Sequence, residues 1–289
     1  MDAILLGFLA GALFGAMTVA VRAGLGRGGE PALGSVVITS TAALVATLLA
    51  VPSLVSEGLE PGALWPFALV GLFVPGLSQV VFILAVRHAG PSRAAILVGT
   101  APLGSVLLAL ALLDEPFRPI LLAGTALVVA GGAALALDRG RPAGFRLLGV
   151  VLALVCAALF AGRDNAVRFI ARDEDVPPLL ATAATLLAAS LAALLYVVVT
   201  RRDTSPKAVR TTTRAFVPAG LLLAFAYAAL VMGFDRGNVG IVAPLNATQS
   251  LWGVALAALL YRRTEAVGRR TLLAGVLVVL GGALIAAFR

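Results

Sequence analysis

Cysteine and histidine are nearly absent from this 289-residue sequence, which has one of each, and only 12% of its residues are charged. A lone Cys156 excludes an internal disulfide. Cys156 and His88 together are too few for a zinc site of Cys/His type, so no metal centre and no cofactor is expected. The shortage of charge, against about 25% in ordinary soluble domains, comes with 61% hydrophobic residues and a mean hydropathy of +1.04. That combination excludes a soluble globule. No glycine-rich loop ends in Gly-Lys-Ser/Thr, so the chain has no phosphate cradle for ATP-driven work. No serine lies in an elbow motif and His88 stands at the end of an apolar stretch, so catalysis is not indicated. Met1 and Asp2 offer no basic segment before the first apolar run, which argues against a secretory signal there.

What the chain does have is apolar length. Ten stretches, near 3–22, 33–52, 64–86, 92–113, 119–137, 146–169, 178–199, 214–233, 239–260 and 270–288, are each suited to cross a bilayer, for which about 20 apolar residues suffice as helix. The loops between them are short and leave no room for a soluble domain. The net charge of +8 would raise nucleic-acid binding in a soluble protein. Here the arginines sit at span ends, among lipid headgroups, and nucleic acid is not an expected partner. Of the 22 basic residues, 16 fall in the odd-numbered loops. Positive charge inside then places those loops in the cytoplasm and both termini outside. Arg201, Arg202, Lys207, Arg210 and Arg214, in the seventh loop, weigh most.

The ten stretches form two sets of five, 1–139 and 140–289. Residues 12–22 (ALFGAMTVAVR) and 158–168 (ALFAGRDNAVR) share six of eleven positions at an offset of 146. Residues 121–137 and 272–288 share seven of seventeen at an offset of 151. Five being odd, the copies enter the membrane in opposite senses. Inverted repeats of this kind characterise secondary transporters, whose substrate site lies near the midplane between the copies.

The repeat breaks most sharply where Met17-Thr18-Val19 becomes Arg163-Asp164-Asn165. Charges inside a membrane helix are costly unless they pair or face water. Successive residues are about 100° apart around a helix, so Arg163 and Asp164 are expected to meet different neighbours or a polar cavity. Either they bind substrate or a coupling proton, or Arg163 reaches the headgroups from about one turn inside while Asp164 caps it. In the ninth span Asn246, Gln249, Ser250 and Gly253 follow i, i+3, i+4, i+7, one helical face. Lipid cannot satisfy amides, so this face should point inward, to contact either solute or another helix. Trp252, on another side, is placed to wall a cavity, and Thr100 is the repeat counterpart of Ser250. Gln79 follows Pro75-Gly76, a site for a kink, and is read as a lining amide or a structural one. Tyr227 is either a cavity hydroxyl or a packed aromatic. Gly7, Gly11 and Gly15 recur every fourth residue and make a smooth packing face in the first span. Arg22 and Arg168 are read as interfacial anchors, and His88 as a headgroup neighbour. Glu115 and Glu265 are read as structural, capping the following helix or pairing with Arg118 and Arg269.

Each half ends alike: Leu113-Asp114-Glu115-Pro116 precedes Gly124 and Gly131-Gly132, and Thr264-Glu265 precedes Gly275 and Gly281-Gly282. With Phe225-Ala226-Tyr227 before Gly237-Asn238-Val239, the whole chain resembles the drug/metabolite transporter superfamily, specifically the ten-span EamA-type transporters. The resemblance implies an all-α integral membrane protein of ten transmembrane helices in two inverted five-helix repeats. It implies secondary or facilitative transport, in particular export, of small organic solutes such as amino acids, metabolites or drugs, in the plasma membrane of a prokaryote. Small solutes and lipids are then the partners, with protons as a coupling ion if Asp164 titrates. A lipid-carrier flippase and a non-transporting scaffold or sensor are the rival readings. Two features depart from the family pattern. Trp252 stands at the counterpart of Pro102, where many relatives have proline, and many relatives place both termini in the cytoplasm, the reverse of the charge count.

Overall fold

The structure, a computed structural model, describes residues 2–58, 61–89, 97–115, 117–136, 147–173, 176–200, 205–260 and 269–287. Among these residues every regular element is helical. The elements are α1 (Ala3–Gly26), α2 (Pro31–Glu57), α3 (Pro61–Gly71), a π-helical segment (Leu72–Leu77), α4 (Ser78–Ala89), α5 (Ala101–Leu112), α6 (Pro119–Ala136), α7 (Leu147–Asp173), α8 (Pro178–Val199), α9 (Pro206–Arg236), α10 (Val239–Asn246), α11 (Gln249–Leu260) and α12 (Arg269–Ala287). The third span is α3, the π segment and α4 in series, and the ninth is α10 with α11, which gives the expected ten. Six of the spans are helices or kinked helices long and apolar enough to cross a membrane unaided, and shorter apolar helices in the fourth, fifth and tenth positions join them. Leucines and valines such as Leu44, Leu191 and Val199 are exposed along these helices, as lipid-facing side chains must be.

Proline starts many of the helices. Pro31, Pro178 and Pro206 occupy first turns, where the missing N–H costs nothing. Glu30 completes the start of α2: its Oε2 accepts from the Leu33 N–H at 2.6 Å. Inside the third span Val74 leaves the helical region (φ −140°, ψ 115°) just before Pro75, so the kink expected at Pro75-Gly76 is present. The eighth span is longer than its apolar pattern predicts. It begins at Pro206 behind the Ser205 cap, so Lys207, Arg210 and Arg214 sit on α9 and not in a loop. The hydropathy pattern missed those turns because arginines that snorkel to the headgroups lower the average without ending the helix.

The packing respects an exchange of the two halves. The first span packs on the eighth as the sixth packs on the third, and the first on the ninth as the sixth on the fourth. The second packs on the eighth as the seventh on the third, while the second and seventh, and the fifth and tenth, pair across the axis. Swapping one to five with six to ten exchanges these principal pairs with one another, while lesser contacts such as the eighth span with the sixth and seventh belong to one half alone. Close approaches follow the same rule. A Cβ on Gly71 of α3 would run into the Thr185 backbone of α8, and one on Gly220 of α9 would meet Thr41 Cβ of α2 at 2.5 Å. Small residues at helix crossings are how packing is achieved when lipid provides no hydrophobic drive.

Glu115 does not cap the helix that follows it. Its Oε1 and Oε2 accept from the N–H groups of Val239 and Gly240 at 2.7 and 3.1 Å, so it caps α10 of the other half. A carboxylate at a helix N-terminus gains from both the free N–H groups and the dipole. Glu115→Ala is therefore expected to destabilise the protein by about 1–2 kcal/mol, read as a lower Tm in detergent. An unchanged Tm would show the cap to be idle. Glu265 lies outside the described residues.

Candidate functional site

The sixth span carries the polar centre. α7 runs 27 residues, and Arg163 lies ten residues before its end, which at about 1.5 Å per residue is roughly 15 Å along the helix. The Arg163 side chain is buried among neighbouring helices. Arg163 and Asp164 meet different neighbours, Tyr227 of α9 and Ser105 of α5, and also each other. The arginine side chain is long enough to fold back: its Nε donates to Asp164 Oδ1 at 2.8 Å and its Nη2 lies 2.7 Å from the same oxygen. The geometry about successive Cα atoms separates their backbones but not the tips of a long and a short chain. Ser105 of α5 donates to the other oxygen, Oδ2, at 2.7 Å. The guanidinium carbon stands 5.5 Å from the centre of the Phe160 ring and 5.8 Å from that of Tyr227, both within cation–π range. Arg163, Asp164 and Asn165 are all buried.

Neighbouring groups extend the cluster. Asn165 donates through Nδ2 to the Ser105 carbonyl at 3.0 Å and to Ala161 at 2.9 Å. Tyr227, buried in α9, donates its hydroxyl to the Val74 carbonyl at 2.9 Å. That oxygen belongs to the residue whose helical geometry is lost, so the tyrosine satisfies a backbone group freed by the kink, as membrane interiors require. Phe14 of α1 meets Tyr227 edge-on with ring centres 6.4 Å apart. Spans one, three, four, six and eight are thereby tied to one place. Cys156 sits beneath, with Sγ 3.8 Å from the Ser78 carbonyl.

The ninth span, in the same half as the sixth, borders this centre and packs on the first. It is not one continuous helix. α10 stops at Asn246 and α11 starts at Gln249, and Thr248 donates its hydroxyl to the Leu245 carbonyl at 2.7 Å in the break. Pro244, lacking an N–H, weakens the turn just before it. The glycine face of α1 lies along this break. A Cβ on Gly11 would meet the Asn246 carbonyl at 3.0 Å, and one on Gly15 would meet Gln249 O, Gly253 N and Trp252 Cβ, each at 2.7 Å. Asn246 is buried, Gln249 half-buried and Trp252 exposed; the Ser250 side chain lies outside the described residues. Two buried side-chain oxygens, Asn165 Oδ1 and Asn246 Oδ1, have no hydrogen-bond partner among the described residues. Such atoms are uncommon in proteins and call for an explanation.

The remaining sequence candidates are more local. Thr100 turns its hydroxyl to the Leu97 carbonyl at 2.6 Å, and Gln79 is half-buried just past the kink. Arg168 is more than a headgroup anchor. Its Nη1 donates to the carbonyls of Phe234 and Asp235 at 2.8 and 3.1 Å, a cation on the C-terminus of α9. One turn on, Arg172 does the same for Leu113 at the end of α5. The sequence reading missed Ser105 and Thr248. Each is a lone hydroxyl in an apolar run, and only the fold shows that one meets Asp164 and the other fills a helix break. Among the described residues no cluster of His, Cys, Asp and Glu could hold a metal ion.

Comparison with known proteins places this arrangement. A solved crystal structure superposes on the chain with a TM-score of 0.83 at 24% identity, covering 99% of this chain and 96% of the other, a likeness of fold. No curated protein matches the sequence. The model of the EamA-like transporter family matches residues 1–137 and again 147–287. With that double match across nearly all of its length, on a ten-span helical fold, the chain belongs to the EamA-like transporter family, membrane transporters of small solutes.

Proposed function

We propose that the protein carries a small organic solute, such as an amino acid, metabolite or drug, across the cytoplasmic membrane of a prokaryote by alternating access, with export as its direction. The halves 1–139 and 140–289 rock about a path bordered by spans one, three, four, six, eight and nine. One observation carries this reading: the principal contacts between spans, first on eighth and ninth, sixth on third and fourth, are exchanged when the halves are swapped. Such a fold has two equivalent ways to arrange its halves, one opening to each side.

Asn165 and Asn246 supply acceptors that find no donor among the described residues, which favours a solute bearing N–H or O–H donors. Gln79, Thr100, Tyr227, Gln249, Ser250 and Trp252 complete the proposed lining, and the Arg163–Asp164 pair is its neutral polar floor. Both oxygens of Asp164 are already engaged, which supports facilitated exchange over proton coupling. The test is a thermal-shift screen of amino acids and metabolites in detergent, followed by flux in vesicles. A solute that stabilises the wild type, but neither Asn246→Ala nor Gln249→Ala, identifies substrate and site together. Lipid scrambling without solute flux would replace the reading with a flippase, and neither activity would leave a scaffold.

Orientation has its own test. The charge count puts the start of α9 in the cytoplasm. Ser205→Cys on a Cys156→Ala background is expected to resist an impermeant thiol reagent added outside whole cells and to react in inverted vesicles. Reaction from outside would turn the protein over.

A further inference from the structure

At the membrane end where α1 stops and α9 starts, the two helices leave an outward-opening cavity of about 510 Å³ lined by Arg27, Arg210, Thr211, Arg214 and Ala215. Its size is within the range of about 300–1,000 Å³ typical of small-molecule sites. The three arginines are exposed and converge from different elements, Arg27 from the residue after α1 and the others from successive turns of α9. Arg210 and Arg214, four apart on one helix, repel each other. The first turn of α9 holds no acidic residue. Glu30, the nearest carboxylate in sequence to Arg27, is spent on capping Leu33. Among the described residues none of the three guanidinium groups has a carboxylate within ion-pair distance. Three like charges in a concave site, without a counter-charge among the described residues, concentrate a positive potential there.

We propose that this cavity binds a phosphate group. Guanidinium forks match phosphate oxygens two at a time, Thr211 adds a hydroxyl donor, and a doubly or singly charged phosphate supplies a counter-charge. A bound phosphate joins the end of α1 to the start of α9, two helices that pack together along their length. Two sources offer this chemistry at a membrane surface: the headgroup of an anionic phospholipid and free inorganic phosphate. The site is separate from the solute path and does not depend on it.

The experiment uses the purified full chain in detergent, with thermal unfolding and native mass spectrometry. The probes are short-chain phosphatidylglycerol, phosphatidylcholine and inorganic phosphate. Phosphatidylglycerol is expected to raise the Tm and remain bound, with Arg27→Gln weakening binding about tenfold and Arg210→Gln with Arg214→Gln abolishing it. Lys207→Gln, on the same helix but outside the cavity, should respond like wild type. The substituted residues are exposed, and Arg27→Lys checks that charge at that position, not folding, is being read. A response to phosphatidylglycerol alone assigns a lipid headgroup, and a response to inorganic phosphate as well assigns a free anion. Equal responses of wild type and the double variant would overturn the proposal; a response to phosphatidylcholine equal to that to phosphatidylglycerol, and lost in the double variant, supports it by assigning the phosphodiester itself.

Discussion

Asp164→Ala is expected to cost about 3–5 kcal/mol of stability, while Arg163→Met with Asp164→Leu costs far less than the sum of the single changes. The reason is geometric. Arg163 is buried within a membrane-spanning helix, and Asp164 is the carboxylate that neutralises it at 2.7 Å. Removing the aspartate leaves a guanidinium without counter-charge where water is scarce, with two aromatic rings as poor compensation. Removing both leaves an apolar patch between α5, α7 and α9, which lipid-like packing tolerates. The lower end of the range is expected, because a chain unfolded within the bilayer also finds polar partners. Unfolding of the four members of the cycle in bicelles measures this directly. Additive costs would mean that the two side chains do not depend on each other, and that the pair is not the neutral floor assigned to it. The double variant then separates stability from transport: folded but without flux if the pair meets solute, folded and active if it only joins helices.

Gly15→Ala should have the second-largest effect. The added Cβ would meet two backbone atoms of α11 and Trp252 Cβ, all at 2.7 Å, and backbone cannot turn aside as a side chain does. The first and ninth spans must separate. Overpacking of this sort costs about 1–3 kcal/mol, and Gln249 moves with α11, so flux falls as well as Tm. The exchange of halves provides the control. At the repeat offset of 146 the counterpart of Gly15 is Ala161, a methyl accepted without clash because the fourth span offers Gly104, whose own Cβ would stand 3.3 Å away. Ala161→Gly is thus expected to be mild. Equal, small effects at both positions would show that the α1–α11 seam is not tight.

Much of this was legible from the residues. Periodic apolar length and the repeat offsets are properties of the chain itself, so ten spans in two copies could be read from them, as could the kink at Pro75-Gly76. The Gly7, Gly11 and Gly15 face could be recognised as a seam, though not its partner, since a helix surface does not name what covers it. The break between Asn246 and Gln249 was hidden by their i, i+3 spacing, which suits an unbroken helix equally well. The Arg163–Asp164 contact was hidden by reasoning from Cα directions when the reach of arginine decided the matter. Glu115 capping α10, and Arg168 and Arg172 holding the ends of α9 and α5, join residues far apart in sequence, and nothing local distinguishes them from surface anchors.

Alternating access is tested most directly at Asn246, the buried amide between the halves. Asn246→Cys on the Cys156→Ala background, in sided vesicles with an impermeant thiol reagent, should be labelled from either face, and transported solute should change the two rates in opposite directions. A thiol that no reagent reaches from either side, with or without solute, would contradict a moving pathway through the centre of this fold.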